Sequence, residues 1–197
     1  MGDVAEAPLI IGITGASGAT LAERVMRRVI ASVPLIAIAT EAGQRVWAEE
    51  LGRPLKATLT ELAERAEYAD IRDIGHRAAS GSVPTRGMVI IPASMDAVSA
   101  IATGRESNLL ERVAGVTIKE GRPLTLVPRE TPLSAIHLRN LLTLARLGAR
   151  IVPPMPAFYL LPRSLDELYD ALAGRIVQSL GLPEIAIDSR FVYKEDV

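Results

Sequence analysis

The feature that most constrains the fold is a series of short, continuous apolar runs separated by helix-like segments. The runs are Leu9–Ile13, Leu35–Ala39, Met88–Ile91, Leu124–Val127 and Arg150–Val152. Runs that are continuous rather than alternating are typical of strands buried on both faces of a parallel sheet. The repeated strand–helix pattern therefore predicts an α/β fold, a doubly wound parallel sheet of the Rossmann-like or flavodoxin-like kind in a three-layer sandwich.

The segments between the runs carry helical periodicity. Leu21, Val25 and Val29 recur every four residues, which predicts an amphipathic crossover helix. Ser164 followed by Glu167 predicts a capping box that opens a last helix toward Leu180. A second apolar stripe consists of Leu138, Leu141, Leu142 and Ala145, with Gly148 as its C-cap.

Two other segments lie between the predicted strands. Pro92 is expected to end the third strand, and Ser94 is expected to cap the helix that follows it. The segment Thr58–Asp73 is helix-like at first and then ambiguous.

Composition limits the class of protein. The chain has 197 residues, of which 49% are apolar, so we expect one domain over residues 1–197 with a sizeable core. A net charge of −1 without charge blocks argues against a nucleic-acid or membrane surface. The absence of cysteine excludes disulfides and thiol catalysis, and no targeting segment is evident, so a cytoplasmic location is expected.

The stretch "IIGITGASGAT" follows the first strand and carries glycines at 12, 15 and 18. It lacks the lysine of an ATP-binding loop, and its first glycine interval is too long for the dinucleotide fingerprint. Glu41 after the second strand still supports an NAD-dependent oxidoreductase as one alternative. Free amides at a helix N-terminus favour one anionic group, so a monophosphate fits best, and a turn without a ligand stays open.

Other polar segments follow the predicted strands, where ligands of doubly wound sheets bind. Ser94 follows the third run, and "VPRE" places Arg129 and Glu130 after the fourth. The proline-rich loop after the last run carries Phe158 and Tyr159. The "ASGS" loop precedes the third run, and its amides could close over an anion.

Taken together, "TGASGA", "ASGS", "NLLERVA", "IKEGRPLTLVPRE" and the "PLS…IHL" block resemble the UbiX-type flavin prenyltransferases from about Ile10 to Pro183. The resemblance implies metal-independent transfer of a dimethylallyl group from dimethylallyl phosphate to N5 and C6 of reduced FMN. It also implies delivery of prenylated FMN to a UbiD-type decarboxylase. The family forms homo-oligomers, often dodecamers, and the Ala79–Ser82 loop would complete a neighbour's pocket.

The resemblance also implies residue roles. Ser17 would lie near N5 of the flavin, and Arg129 would hold the phosphate end of FMN. Ser17, Glu50, Glu130 and Lys119 are the candidate catalytic residues, and Glu49 adjoins the second of these. The expected FMN contacts are Gly15, Ala16, Ser17, Thr40, Ser94, Met95, Asp96, Ala97 and Arg129. The expected contacts to the prenyl phosphate are Ala79, Ser80, Arg112, Lys119, Tyr159 and Arg175.

The chain departs from the family pattern in two places. Asp96 and Ala97 replace residues that commonly include a threonine, which removes a hydroxyl and adds a carboxylate near the flavin. Ile74 and Arg190 stand where family members often have tryptophans. These departures leave open an FMN carrier without prenyl transfer. His137 is expected to pack its helix, and the early histidine of the related cysteine decarboxylases is missing.

Overall fold

The computed structural model describes residues 7–62, 65–182 and 185, which form one parallel sheet with helices on both faces. Its strands are β1 (Leu9–Ile13), β2 (Leu35–Ala39), β3 (Ala66–Ala69), β4 (Met88–Ala93), β5 (Leu124–Pro128) and β6 (Arg150–Ile151). Its helices are α1 (Ala19–Val29), α2 (Glu41–Leu51), α3 (Leu55–Glu61), α4 (Met95–Ala102), α5 (Leu109–Lys119), α6 (Ala135–Arg146) and α7 (Leu165–Leu180). Short 3₁₀ turns cover Arg77–Ala79 and Phe158–Leu160.

The strand order is β3-β2-β1-β4-β5-β6, and every pair is parallel. The predicted doubly wound α/β class is therefore confirmed, with the strand order of the Rossmann-like alternative. The order reverses between β1 and β4, where Ile10 pairs with Met88. Ligands of such sheets bind at this switch point, beyond the carboxyl ends of the strands.

Alternate residues of the strands build two cores. On one face, Leu9, Ile11 and Ile13 of β1 pack against the layer of α1, α2, α3 and α7. On the other face, Ile10 packs into the layer of α4, α5 and α6. Both layers cover the sheet, which explains why β1, β2, β4 and β5 are buried along their whole length.

The structure differs from the sequence analysis at two strands. Pro92 does not end β4, because a register shift between Ile90 and Ala93 lets the strand pass the proline and pair Ala93 with Pro128. Strand β3 was not foreseen, because it is a short edge strand with the sequence AEYA, without an apolar run.

Helix ends follow the predicted chemistry more closely. The Oγ of Ser164 accepts from the Glu167 amide, and α7 ends at Leu180 as expected. The Glu167 carboxylate accepts from the Arg163 amide, so the second half of the capping box reaches one residue further back. Gly148 follows the end of α6 with a φ of 90°, as a C-terminal glycine does.

The apolar stripe of α6 faces outward for most of its length. Leu141 is buried, whereas Leu138 and Leu142 are about half exposed at 53% and 50%. His137 does not pack the helix as expected; its Nδ1 accepts from the Ser134 amide and its own amide donates to the Ser134 hydroxyl. It is therefore an N-terminal capping residue of α6.

Candidate functional site

A cavity of about 290 Å³ opens at the carboxyl edge of the sheet, beside the switch point. Its lining consists of Gly15, Thr40, Ala42, Ser94, Asp96, Ala97, Asn108, Leu110 and Glu111. Five of these, Gly15, Thr40, Ser94, Asp96 and Ala97, were predicted flavin contacts. The first and last of them are 82 residues apart in the sequence, and the fold brings all five to the lining of one cavity.

The cavity is surrounded by the N-termini of α2, α4 and α5. Their capping residues Thr40, Ser94 and Asn108 all line it, and each side chain accepts from an amide of its own helix at 3.0, 3.3 and 3.0 Å. The positive ends of these helix dipoles therefore point at one volume. An anionic group of a ligand is favoured there.

The N-terminus of α1, by contrast, is already occupied by a side chain. The Glu50 carboxylate accepts from the amides of Gly18 at 3.1 Å and Ala19 at 2.8 Å. The glycine loop therefore offers these two amides to Glu50 rather than to a phosphate. Of the two neighbouring glutamates, Glu49 and Glu50, it is Glu50 that contacts the glycine loop.

Thr14, the first hydroxyl of the glycine loop, has a structural role. It is buried, and its Oγ1 donates to the Pro92 carbonyl at 2.7 Å and accepts from the Ser94 amide at 2.7 Å. These bonds fix the end of β1 against the end of β4. Ser94 is thereby held at the mouth of the cavity.

Two carboxylates line the cavity, and one of them forms a close ion pair with an arginine. Glu111 is 5% exposed and accepts from Arg105 at 3.0 Å and from the Ser107 amide at 2.8 Å. Burial alone would raise the pKa of Glu111, but the bonds from Arg105 and Ser107 outweigh it and the pKa is lowered. Asp96 lies 3.8 Å from the same guanidinium, and its side chain is 86% exposed.

Arg129 lies next to Ser17. Its Nε donates to the Ser17 carbonyl at 3.2 Å, which joins the end of β5 to the glycine loop across 112 residues. Glu130 beside it is exposed and accepts from the Thr131 amide at 3.0 Å. Ser17, Arg129 and Glu130 therefore form a second polar cluster at the carboxyl edge.

Lys119 lies on the side of the sheet where the strands begin, which is called the amino edge, because it ends α5 shortly before β5 starts. It ends α5, whose first turn lines the cavity, and 11 helical residues span about 16 Å. Its Nζ lies 2.6 Å from Glu120, and a Cβ on Gly81 would be 3.0 Å from it. The Arg122 guanidinium donates to the Gly81 carbonyl at 2.5 Å, so the Ala79–Ser82 loop is held beside Lys119.

The remaining predicted substrate contacts are spread over the chain. Arg112, in the first half of α5, pairs with Glu106 at 3.0 Å. Arg175 lies on α7, on the other face of the sheet, and donates to Gln178 at 2.6 Å. Tyr159 is 79% exposed in the loop after β6. One chain therefore does not bring Lys119, Tyr159 and Arg175 together.

Sequence reasoning missed Asn108 and Glu111 as part of the site. The signal that could have found them is the spacing in "SNLLE", a capping residue followed three positions later by a glutamate. Of the two positions where family members often have tryptophans, Ile74 is 58% exposed. Arg190 lies outside the described residues.

Within residues 7–62, 65–182 and 185, no group of three histidines or acids could hold a metal ion. No helix in that part of the chain is long and apolar enough for a bilayer.

The Rossmann-like sheet and its cavity between three helix N-termini define the class: an α/β protein with a nucleotide-type site at the switch point. The family model named Flavoprotein matches residues 2–176. The chain belongs to this flavoprotein family.

Named relatives agree with that assignment. A flavin prenyltransferase UbiX from Synechocystis sp. is 42% identical over 188 residues, which cover 89% of this chain and 91% of the relative. The solved structure of AnUbiX in complex with FMN and dimethylallyl pyrophosphate is 33% identical, with a TM-score of 0.86 over 98% of this chain and 99% of the other. The dodecameric FMN-dependent Ubix-like decarboxylase from Escherichia coli O157:H7 is 36% identical, with a TM-score of 0.84 over 89% and 94% of the two chains.

Proposed function

We propose that this protein is a flavin prenyltransferase. It transfers a dimethylallyl group from dimethylallyl phosphate to N5 and C6 of reduced FMN, and a UbiD-type decarboxylase receives the prenylated FMN. The observation that carries the proposal is the cavity at the carboxyl edge of a chain that is 42% identical to a flavin prenyltransferase.

The cavity supports one orientation of the flavin. Three helix N-termini converge on it, so the phosphate end of FMN enters there, where Thr40, Ser94 and Asn108 lie. The isoalloxazine ring then extends toward Gly15–Ser17. Arg129 contacts Ser17, so we now assign its charge to the ring and the transfer site instead of the FMN phosphate.

The chain's own residues supply charge where the transfer needs it. The C–O bond of the prenyl phosphate breaks as the bond to N5 forms, and negative charge develops on the leaving phosphate. Lys119, Arg112 and Arg175 would stabilise that charge, each by roughly 2–4 kcal/mol as a preorganised donor. Bond formation at N5 displaces the N5 proton. Closure onto C6 then requires a proton on the prenyl double bond and loss of the C6 proton, and Glu130 and the leaving phosphate would carry these protons.

The split of these residues within one chain supports a homo-oligomer in which copies share the site. Lys119 and the Ala79–Ser82 loop lie at the amino edge, and Arg175 lies on the other face of the sheet. A neighbouring copy would bring them to the carboxyl edge, and we propose a dodecamer. We further propose that residues 1–197 act as one flavin-binding domain in the cytoplasm.

The test is a mass-spectrometric assay. The protein is incubated with reduced FMN and dimethylallyl phosphate, and the flavin is weighed. The proposal expects a gain in mass of one dimethylallyl group less the hydrogen atom that it replaces. Bound FMN without a mass gain from any short prenyl phosphate would instead support a carrier, and binding of NAD without FMN would support an oxidoreductase.

A further inference from the structure

Asp96 is the less restrained of the two carboxylates in the cavity lining. Glu111 accepts several hydrogen bonds, whereas the Asp96 carboxylate lies 3.8 Å from Arg105, beyond hydrogen-bond distance. Arg105 contacts Glu111 through both Nε and Nη2 at 3.3 and 3.0 Å. The charge of Arg105 is thus largely taken up by Glu111, and a negative charge remains on Asp96 at the cavity.

Helix stability alone does not distinguish this position. Asp96 is the second residue of α4, where a carboxylate interacts well with the helix dipole. Asp166 holds the same position in α7 and has a similar side-chain exposure of 82%, but it lies away from the cavity and pairs with Arg24. The difference between them is that Asp96 lines the space assigned to the FMN phosphate.

We propose that Asp96 is a specificity-determining residue that lowers the preference of this cavity for FMN over riboflavin. The inference rests on the proposed function, because it needs the phosphate end of a flavin in the cavity. The Asp96 carboxylate repels the phosphate dianion and so offsets part of the attraction from the N-termini of α2, α4 and α5. It leaves the uncharged end of the ribityl chain of riboflavin unaffected.

The experiment compares two flavins on three proteins. Dissociation constants of FMN and riboflavin are measured by quenching of flavin fluorescence for the natural chain, Asp96→Asn and the matched control Asp166→Asn. For like charges a few ångströms apart near the surface, we expect Asp96→Asn to tighten FMN binding about tenfold. Riboflavin binding should stay constant, and Asp166→Asn should alter neither constant. Asp96→Lys should favour FMN still more.

Equal changes for the two flavins, or no change for either, would overturn the inference and leave the proposed function standing. If the natural chain binds neither flavin, the proposed function itself fails. Thermal unfolding of each variant checks the fold. Asp96→Ser, which retains a residue suited to a helix start, replaces Asp96→Asn if that variant does not fold.

Discussion

The two edges of the sheet differ in how complete their sites are. At the carboxyl edge, one chain supplies a cavity with three helix N-termini, and the glycine loop is held by Glu50 and Arg129. At the amino edge, the same chain supplies Lys119 and the Ala79–Ser82 loop. Two other predicted substrate contacts lie elsewhere in the chain, namely Tyr159 and Arg175. On the proposed function, one chain would suffice for flavin binding, whereas prenyl transfer would need a second copy.

Replacement of Lys119 should give the largest difference between the two edges: prenyl transfer should be largely lost while FMN binding is kept. Lys119→Ala removes a cation from the leaving phosphate, so the rate of prenyl transfer should fall by about 100-fold or more. FMN binding should be unchanged, because the cavity lies about 16 Å away along α5. The rate is measured by mass spectrometry and binding by fluorescence. Lys56→Ala, at an exposed lysine of α3, is the control, and loss of FMN binding in Lys119→Ala would contradict the separation.

An alanine at Gly81 tests the amino edge without removing a charge. Its Cβ would lie 2.3 Å from the Glu120 carboxylate and 3.0 Å from the Lys119 Nζ. Both are ends of flexible side chains, so the fold should tolerate the change while the ammonium shifts. We expect a loss in transfer rate of about tenfold, in keeping with misplacement of a catalytic group.

The matched control for that change is Gly75→Ala. There the added Cβ would meet only Asp73, at an ordinary 3.6 Å. Equal transfer rates for Gly81→Ala and the natural chain would remove Lys119 and its loop from the transfer site.

Glu50 tests the carboxyl edge. Glu50→Ala leaves the amides of Gly18 and Ala19 without their carboxylate, as loss of a helix cap does. The free energy of unfolding should fall by about 1–2 kcal/mol. FMN should bind more weakly, since the glycine loop loses its tie to α2. Denaturant unfolding measures the first effect. Glu49→Ala should have no effect, and equal losses for both glutamates would refute the contact.

The most limited effect, on stability alone, concerns pH. Glu111 has a lowered pKa in the folded chain, so its interactions stabilise the fold at neutral pH. That stabilisation is lost as the pH falls from the ordinary glutamate range through the lowered pKa. Glu111→Gln should therefore destabilise by about 1–2 kcal/mol at pH 7, and the gap should narrow below about pH 4.5. Unfolding curves at both pH values measure this gap, and one that stays constant would show that the carboxylate charge is not the cause.

The sequence allowed the fold to be predicted wherever apolar runs report burial, as in β1, β2, β4 and β5. It failed for β3, because an edge strand with partly exposed residues has no apolar run. Part of the cavity lining was predictable because Thr40 and Ser94 follow strands directly. The partition of the site was not, since which edge Lys119 occupies depends on the direction of α5 rather than on any motif.

The contact between Glu50 and the N-terminus of α1 could not be predicted from the sequence either. A glycine loop before a helix predicts free amides, and only the packing of α2 brings Glu50 onto them. In the proposed function the loop would therefore contact the flavin ring, and the N-termini of α2, α4 and α5 would hold the phosphate end.

Complementation between two inactive variants tests the shared site most directly. Ala42→Trp fills the cavity from an exposed lining position, and Lys119→Ala disables the amino edge. Each alone should transfer the prenyl group at about a hundredth of the natural rate or less. Assemblies that contain both, purified through two different tags, should recover roughly a quarter of the natural rate, because one site in four then combines two intact halves. Mixed assemblies as inactive as their parents would show that both halves must come from one chain, and the account would be wrong.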